Sequence, residues 1–429
     1  MKSGWDFLKR MGLSAFIRKD AAESDVCCVS GERLNMNYEI IHLPKEQWKG
    51  HPLPIGYTTE EYYDVTVDHS GDGFTIQIKK QKADAPITHT PEEYDFPDKL
   101  YEEWWEKACA WGVLADGKLV AAMETCPEDW SNRLRITELW VAPDYQKQGI
   151  GHALMEVAKE QARLERRRAV ILETQSCNVN AIDFYLHEGF TVIGLDTCCY
   201  ANNDLSRKEV RVEMGYLRER KARLTGEEVE IREERPEDYH NTEQIVQEAF
   251  WNKFQQGCDE HYLVHLLRTH EAYLPQFSRI AVKDGEVIGM IMYTKAWVKA
   301  DEKTGGDELV TFGPLCVSPK WQGMGVGELL LQETMKLVAD AGYPGIVIFG
   351  EPDYYPRVGF QTCDHFGIIT ADGGNSESFM GIELKPGAMK DIHGKFYESD
   401  VFESLSKEAA EKYNDNFPLR KKQYFPMQW

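Results

Sequence analysis

The sequence predicts an α/β protein built from two domains in tandem. Three observations carry this expectation. The stretch Val141-Ala-Pro143-Asp-Tyr145-Gln146-Lys-Gln-Gly149-Ile-Gly151 recurs as Val317-Ser-Pro319-Lys-Trp321-Gln322-Gly-Met-Gly325-Val-Gly327, at a constant offset of 176 residues. The elements flanking both copies follow one order, as an internal duplication requires. The chain, at 429 residues, also exceeds what one hydrophobic core usually organises.

Each copy is preceded by an Asp-Gly hairpin signal between apolar runs, at Asp116-Gly117 and at Asp284-Gly285. Each is followed by helical spacing of apolar residues: Ile150, Leu154, Val157 and Ala158 in the first, Val326, Leu330 and Val338 in the second. A short apolar strand comes next, Ala169 to Leu172 or Ile346 to Phe349. Then Tyr185 stands four residues before Gly189-Phe190, and Tyr355 four before Gly359-Phe360. The charge-dense stretch from Arg218 to Glu230 carries Thr225-Gly226, which places a linker at 221–228 between domains at 36–220 and 229–429. The second domain thus includes a long C-terminal extension, expected to hold strands and a helix. Residues 1–35 form an N-terminal extension without an assigned role. There Trp5, Phe7, Leu8 and Phe16 mix with Lys9, Arg10, Arg18 and Lys19, a pattern compatible with a short amphipathic helix.

Hydrophobic residues at 42% and aromatics at 11% suffice for packed cores. A formal charge of -22 argues against affinity for nucleic acid and for anionic membrane surfaces, and favours a cationic partner over either. Ten cysteines are scattered without a Cys-x-x-Cys or a His/Cys cluster at zinc spacing. No apolar run approaches the roughly 20 residues that span a bilayer. The expectation is a reduced, cytoplasmic protein without a metal.

A strand that ends in Gln-x-x-Gly-x-Gly and opens into a helix leaves the first helical amides unpaired around a common centre, where anions bind. The glycines allow unusual backbone angles and close approach of a pyrophosphate, and the helix dipole adds partial positive charge. One such turn is a weak signal; two in matching context are a strong one. On these residues both halves resemble the GNAT superfamily of acetyl-CoA-dependent N-acetyltransferases, over roughly 60–217 and 229–361. The first half is similar to streptothricin acetyltransferases: it carries Asn132-Arg133, Leu172-Glu-Thr-Gln175, Asn178, Ala181, Tyr185, Gly189-Phe190, Asp196-Thr197 and Tyr200-Ala-Asn202. The second half resembles a different branch of predicted acetyltransferases, through Gly313-Pro314-Leu315 and the run from Tyr354 to Phe360.

The resemblance implies a mixed, largely antiparallel central sheet flanked by helices, splayed to admit a pantetheine arm, with acetyl-CoA as co-substrate. It implies cofactor contacts at Leu139, Trp140, Val141, Gln146, Gln148, Gly149, Ile150, Gly151, His152 and Asn178. In the second half these are Leu315, Cys316, Val317, Gln322, Gly323, Met324, Gly325, Val326, Gly327 and Glu328.

An amine that is protonated near neutral pH needs a base to remove a proton before it can attack a thioester, and an acid to return one to the leaving thiolate. Glu138 is the single charge in the apolar strand Ile136-Thr-Glu138-Leu-Trp140-Val141, where desolvation would raise its pKa toward base duty. The other reading is a strand-end glutamate that reaches solvent or pairs with Arg133 or Arg135. Tyr185 occupies the family's general-acid position, with core packing as the alternative, and Tyr355 is its counterpart. Asn178 is a pantetheine contact, a helix cap, or both at once. In the second half the offset puts Pro314 at the place of Glu138, and counting seven back from Tyr355 puts Ile348 at the place of Asn178. Its base then comes from elsewhere, or it is silent. Cys258-Asp259-Glu260-His261 offers carboxylate and imidazole groups there, or a solvated helix face.

The leading expectation is acetylation of a primary amine on a small cationic acceptor, such as a streptothricin-like antibiotic or a polyamine. The alternatives are acetylation of protein lysines or N-termini, and one active domain beside a silent acyl-CoA-binding or dimerising one, which leaves room for a homodimer.

Overall fold

Asp116 and Gly117 adopt φ of +49° and +73°, and Asp284 and Gly285 +51° and +82°, the left-handed pair that a two-residue hairpin turn requires. In the computed structural model, which describes residues 38–93, 98–219, 221–300 and 305–426, each turn joins two strands of a central sheet. The expectation for residues 1–35 lies outside the described residues. Those described fall into two compact units, 38–219 and 221–426.

The first unit runs β1 (Ile41–Leu43), α1 (Lys45–Trp48), a long hairpin of β2 (Tyr57–Ser70) and β3 (Gly73–His89), then β4 (Cys109–Ala115), β5 (Lys118–Glu128) and β6 (Arg133–Val141). It continues through α2 (Ile150–Leu164), β7 (Ala169–Gln175), α3 (Val179–His187), β8 (Thr191–Asp196), α4 (Asp204–Arg207) and β9 (Arg211–Leu217). Its sheet has the order β1-β4-β5-β6-β7-β9-β8, and every neighbouring pair is antiparallel except β6 and β7. The hairpin forms a separate two-stranded sheet, fastened at mid-strand by Tyr63, whose hydroxyl donates to Asp183 of α3 at 2.7 Å.

The second unit comprises β10 (Glu230–Arg232), α5 (Tyr239–Phe250), α6 (Glu260–Leu267), β11 (Arg279–Lys283), β12 (Glu286–Lys299), β13 (Asp307–Val317), α7 (Val326–Asp340) and β14 (Gly345–Phe349). The extension adds β15 (Gln361–Thr362), β16 (Ile368–Ile369), β17 (Phe379–Glu383), β18 (Gly394–Tyr397) and α8 (Lys407–Tyr413). The order β10-β11-β12-β13-β14-β17-β15 repeats that of the first sheet, again with one parallel join, β13 to β14; β18 pairs with β12 and β16. The mixed, largely antiparallel sheet is therefore present twice.

The apolar positions that suggested helices are the buried ones. Ile150, Leu154, Val157 and Ala158 turn inward from α2, and Val326, Leu330 and Val338 from α7. Beneath β1, β4 and β5, Tyr101 is 2% exposed; its hydroxyl donates to Leu43 O and accepts from Ala110 N at 3.0 Å. Tyr101→Phe strands a buried carbonyl and a buried amide, so chemical denaturation should show a loss of roughly 1–3 kcal/mol in the first unit. A midpoint unchanged from the parent would show that water replaces the hydroxyl.

The segment expected as a linker, 221–228, packs on the second unit instead. Leu224 N donates to Met324 O at 2.8 Å and Lys221 Nζ to Lys320 O, because its charged side chains find backbone and carboxylate partners at the glycine turn. No helix among the described residues is long and apolar enough to cross a membrane.

Candidate active site

Both sheets open at the same place. Registered pairing of β6 with β7 stops at Arg135 and Ile171, and β13 meets β14 only through Val310 and Ile346. A register shift follows: Glu124 faces Glu138 while Thr125 faces Ile136, which leaves Thr137 as the extra residue of a bulge. In the second sheet a shift between Ile291 and Tyr293 leaves Gly313 and Pro314 in the matching bulge. Past the bulge, Leu139, Trp140 and Val141 bond to β5 along one edge, and Leu315, Cys316 and Val317 to β12. Their other edge faces the opening, where backbone groups can meet an extended ligand.

The glycine turns are matching structures. Lys147 and Gly149 have φ of +59° and +83°; Gly323 and Gly325, at the same offset, have +81° and +86°. Gln146 Nε2 donates to Val141 O at 3.0 Å, and Gln322 Nε2 to Val317 O at 3.0 Å, so each glutamine side chain ties the turn to its strand. Gln148 Nε2 likewise donates to Asp144 O at 2.8 Å. Gly149 and Gly325 are the N-caps of α2 and α7, and no side chain caps either helix, so the first amides face outward. A Cβ on Gly151 would lie 3.3 Å from the Phe184 ring, and one on Gly327 2.9 Å from Tyr354 Oη. Both turns thus present outward amides at a positively polarised helix start, an arrangement that fits a diphosphate.

Two cofactor candidates at the first helical turn have protein partners. His152 Nδ1 lies 2.9 Å from Glu188 Oε1, and Glu328 pairs with Arg223. His152, Glu156 and Glu188 bring possible metal-ligating atoms within 4.8 Å of one another, and Lys159 already pairs with both carboxylates. Asn178 caps α3, accepting from Ala181 N at 3.3 Å. Ile348 is not its counterpart: it is buried inside β14, because the path from strand to tyrosine is shorter in the second unit.

Glu138 lies half-buried at the first opening. Burial raises its pKa well above the usual carboxylate range, and the charges of Asp98, Glu124, Glu173 and Glu102 raise it further. The pairing with Arg133 or Arg135 does not form, since both arginines are held by Glu128, at 2.6 and 2.7 Å. Facing Glu138, Glu124 is fully buried and accepts from Tyr101 N and Thr137 Oγ1, the latter at 2.8 Å. Tyr185 projects from α3 into the same region at 8% exposure; burial raises its hydroxyl pKa, and so does the charge of Glu138.

The second opening differs. Register replaces Glu124 by Met292 and Glu138 by Pro314, and the Phe402 ring lies 3.6 Å from where a Cβ on Gly313 would stand. Tyr355 sits in a 3-10 turn, packed on Phe312, Tyr354 and Phe360. Cys258, Asp259 and His261 are buried rather than solvated. Burial and Asp259 raise the pKa of Glu260 to about 8, while burial lowers that of His261 to about 4.

Sequence reasoning missed Glu124, Asp98 and Arg223. The first follows only from the bulged register and the second lies in a loop. The third fell within a segment whose charge suggested a linker.

The Acetyltransferase (GNAT) family matches residues 80–190 and 232–360. The N-terminal part is similar to a streptothricin acetyltransferase of Streptomyces lavendulae, 32% identical over 34% of this chain and 78% of the relative. Another part is similar to the uncharacterized N-acetyltransferase YhbS of Escherichia coli K12, 26% identical over 38% of this chain and 92% of the relative. Among solved structures, a nourseothricin acetyltransferase is 28% identical over 42% of this chain and 98% of its own, with a TM-score of 0.34. YhbS from Escherichia coli in complex with CoA is 23% identical over 44% and 98%, with a TM-score of 0.37.

Proposed function

Since more than half of it matches that family, the chain belongs to the GNAT acetyltransferases, and we propose that its first domain acetylates a primary amine of a small cationic acceptor. The observation that carries this reading is Glu138 at the sheet opening, facing Glu124 across β5 and β6, with the charges of Asp98, Glu124, Glu173 and Glu102 all raising its pKa. Carboxylates gathered at one opening concentrate cations there, and the streptothricin acetyltransferase relative names one such amine class.

Acetyl-CoA supplies the activated acetyl group, and the turn from Gln146 to Gly151 holds its diphosphate. Net transfer exchanges a C–S bond for a C–N bond. The acceptor's ammonium gives up two protons on becoming an amide; the departing thiolate takes one and the other leaves to water. Glu138 receives the amine's proton, and its raised pKa matches that task near neutral pH. Tyr185 keeps its own proton until the thiolate needs it. Once Glu138 is protonated its charge no longer opposes ionisation of Tyr185, so the first proton transfer eases the second. The second domain, with Met292 and Pro314 in place of the two carboxylates, we read as an acyl-CoA-binding unit that does not use this chemistry.

The test is release of CoA thiol from acetyl-CoA by the full chain across streptothricin, polyamines, aminoglycosides and lysine peptides. Turnover with streptothricin or a polyamine is expected, with kcat/KM falling as salt screens the attraction. Turnover confined to lysine peptides would overturn the small-acceptor reading in favour of a protein substrate.

A further inference from the structure

The residue that follows each second glycine carries different chemistry in the two domains. In the first it is His152, an imidazole that already pairs with Glu188. In the second it is Glu328, a carboxylate that would repel a bound diphosphate. Arg223 answers that repulsion. Its Nη2 donates to Glu328 Oε2 at 2.5 Å, and a Cβ placed on Gly325 would lie 3.2 Å from both Nε and Nη2. The guanidinium therefore lies over the N-cap of the uncapped helix α7, and the Leu224 N to Met324 O bond fixes the adjoining backbone on the turn. The matching space at Gly149 is met by the neutral Tyr38 hydroxyl, at 3.6 Å.

We infer that Arg223 is a phosphate-binding residue of the second domain, bridging Glu328 and the diphosphate of an acyl-CoA on the turn from Gln322 to Gly327. This rests on the reading of that domain as an acyl-CoA-binding unit. Arginine suits the role: its planar fork can keep one donor on the carboxylate and turn another to a phosphate oxygen.

The test is calorimetry of the full chain carrying Gly149→Glu, which blocks the first turn and leaves the second to be measured alone. Adding Arg223→Gln should weaken acetyl-CoA binding roughly tenfold and flatten its dependence on salt. Arg223→Lys should recover part of the loss. The same loss is expected with 3′-dephospho-acetyl-CoA, because the turn holds the diphosphate. Unchanged affinity in Arg223→Gln, or a loss confined to the ligand that bears the 3′-phosphate, would overturn the assignment. Absence of any site in the Gly149→Glu parent would overturn the acyl-CoA reading of the second domain, and Arg223's role with it.

Discussion

Tyr185→Phe is expected to lower kcat by roughly 100-fold while acetyl-CoA affinity stays within about twofold. The substitution removes one oxygen from a buried ring that packs on Phe184 and Phe190, and leaves those contacts in place. What is lost is a donor that keeps its proton, because burial and the charge of Glu138 both oppose its ionisation. Steady-state rates with a reactive amine, set beside calorimetric titration with acetyl-CoA, separate the two effects. An unchanged kcat would make Tyr185 a packing residue and leave the thiolate to be protonated by water.

Glu138→Gln should reduce kcat/KM by roughly 100-fold or more, the range usual for a general base. The pH dependence carries a sign. A base must be ionised to accept a proton, and the pKa of Glu138 is raised, first by burial and then by neighbouring negative charges. The ascending limb of kcat/KM therefore lies at higher pH than an ordinary carboxylate would give. Asp98→Asn deletes one repelling charge and should move that limb to lower pH. Arg133 and Arg135 do not offset this, since Glu128 holds them. A limb that stays in place in Asp98→Asn, and persists in Glu138→Gln, would assign it to the amine substrate instead.

Much of the fold was legible because it is written in local chemistry. Asp116-Gly117 and Asp284-Gly285 can turn only where positive φ is tolerated, and the spacing of Ile150, Leu154 and Val157 admits one helical face. The glycine turns were legible twice over, since the duplication supplied its own control. What escaped depends on contacts between distant segments. The Glu124 to Glu138 pairing needs the bulge at Thr137, which no local pattern announces. Asn178 and Ile348 were equated by counting back from a tyrosine, and the count failed because the two loops differ in length. Arg223 lies in a run of charges that reads as solvent-exposed spacer, and only the fold shows its guanidinium against Gly325.

The early end of pairing between β6 and β7, and between β13 and β14, creates an edge in the interior of each sheet. Exposed strand edges invite pairing with other chains, and proteins commonly blunt them with charge, with a bulge, or with proline, which has no N–H to offer. Both internal edges carry the bulge. The first adds the charge of Glu138, and the second adds Pro314, at the same offset. Two residues that share no catalytic chemistry can thus occupy one position, because each meets the same requirement of keeping an open strand from recruiting a neighbour.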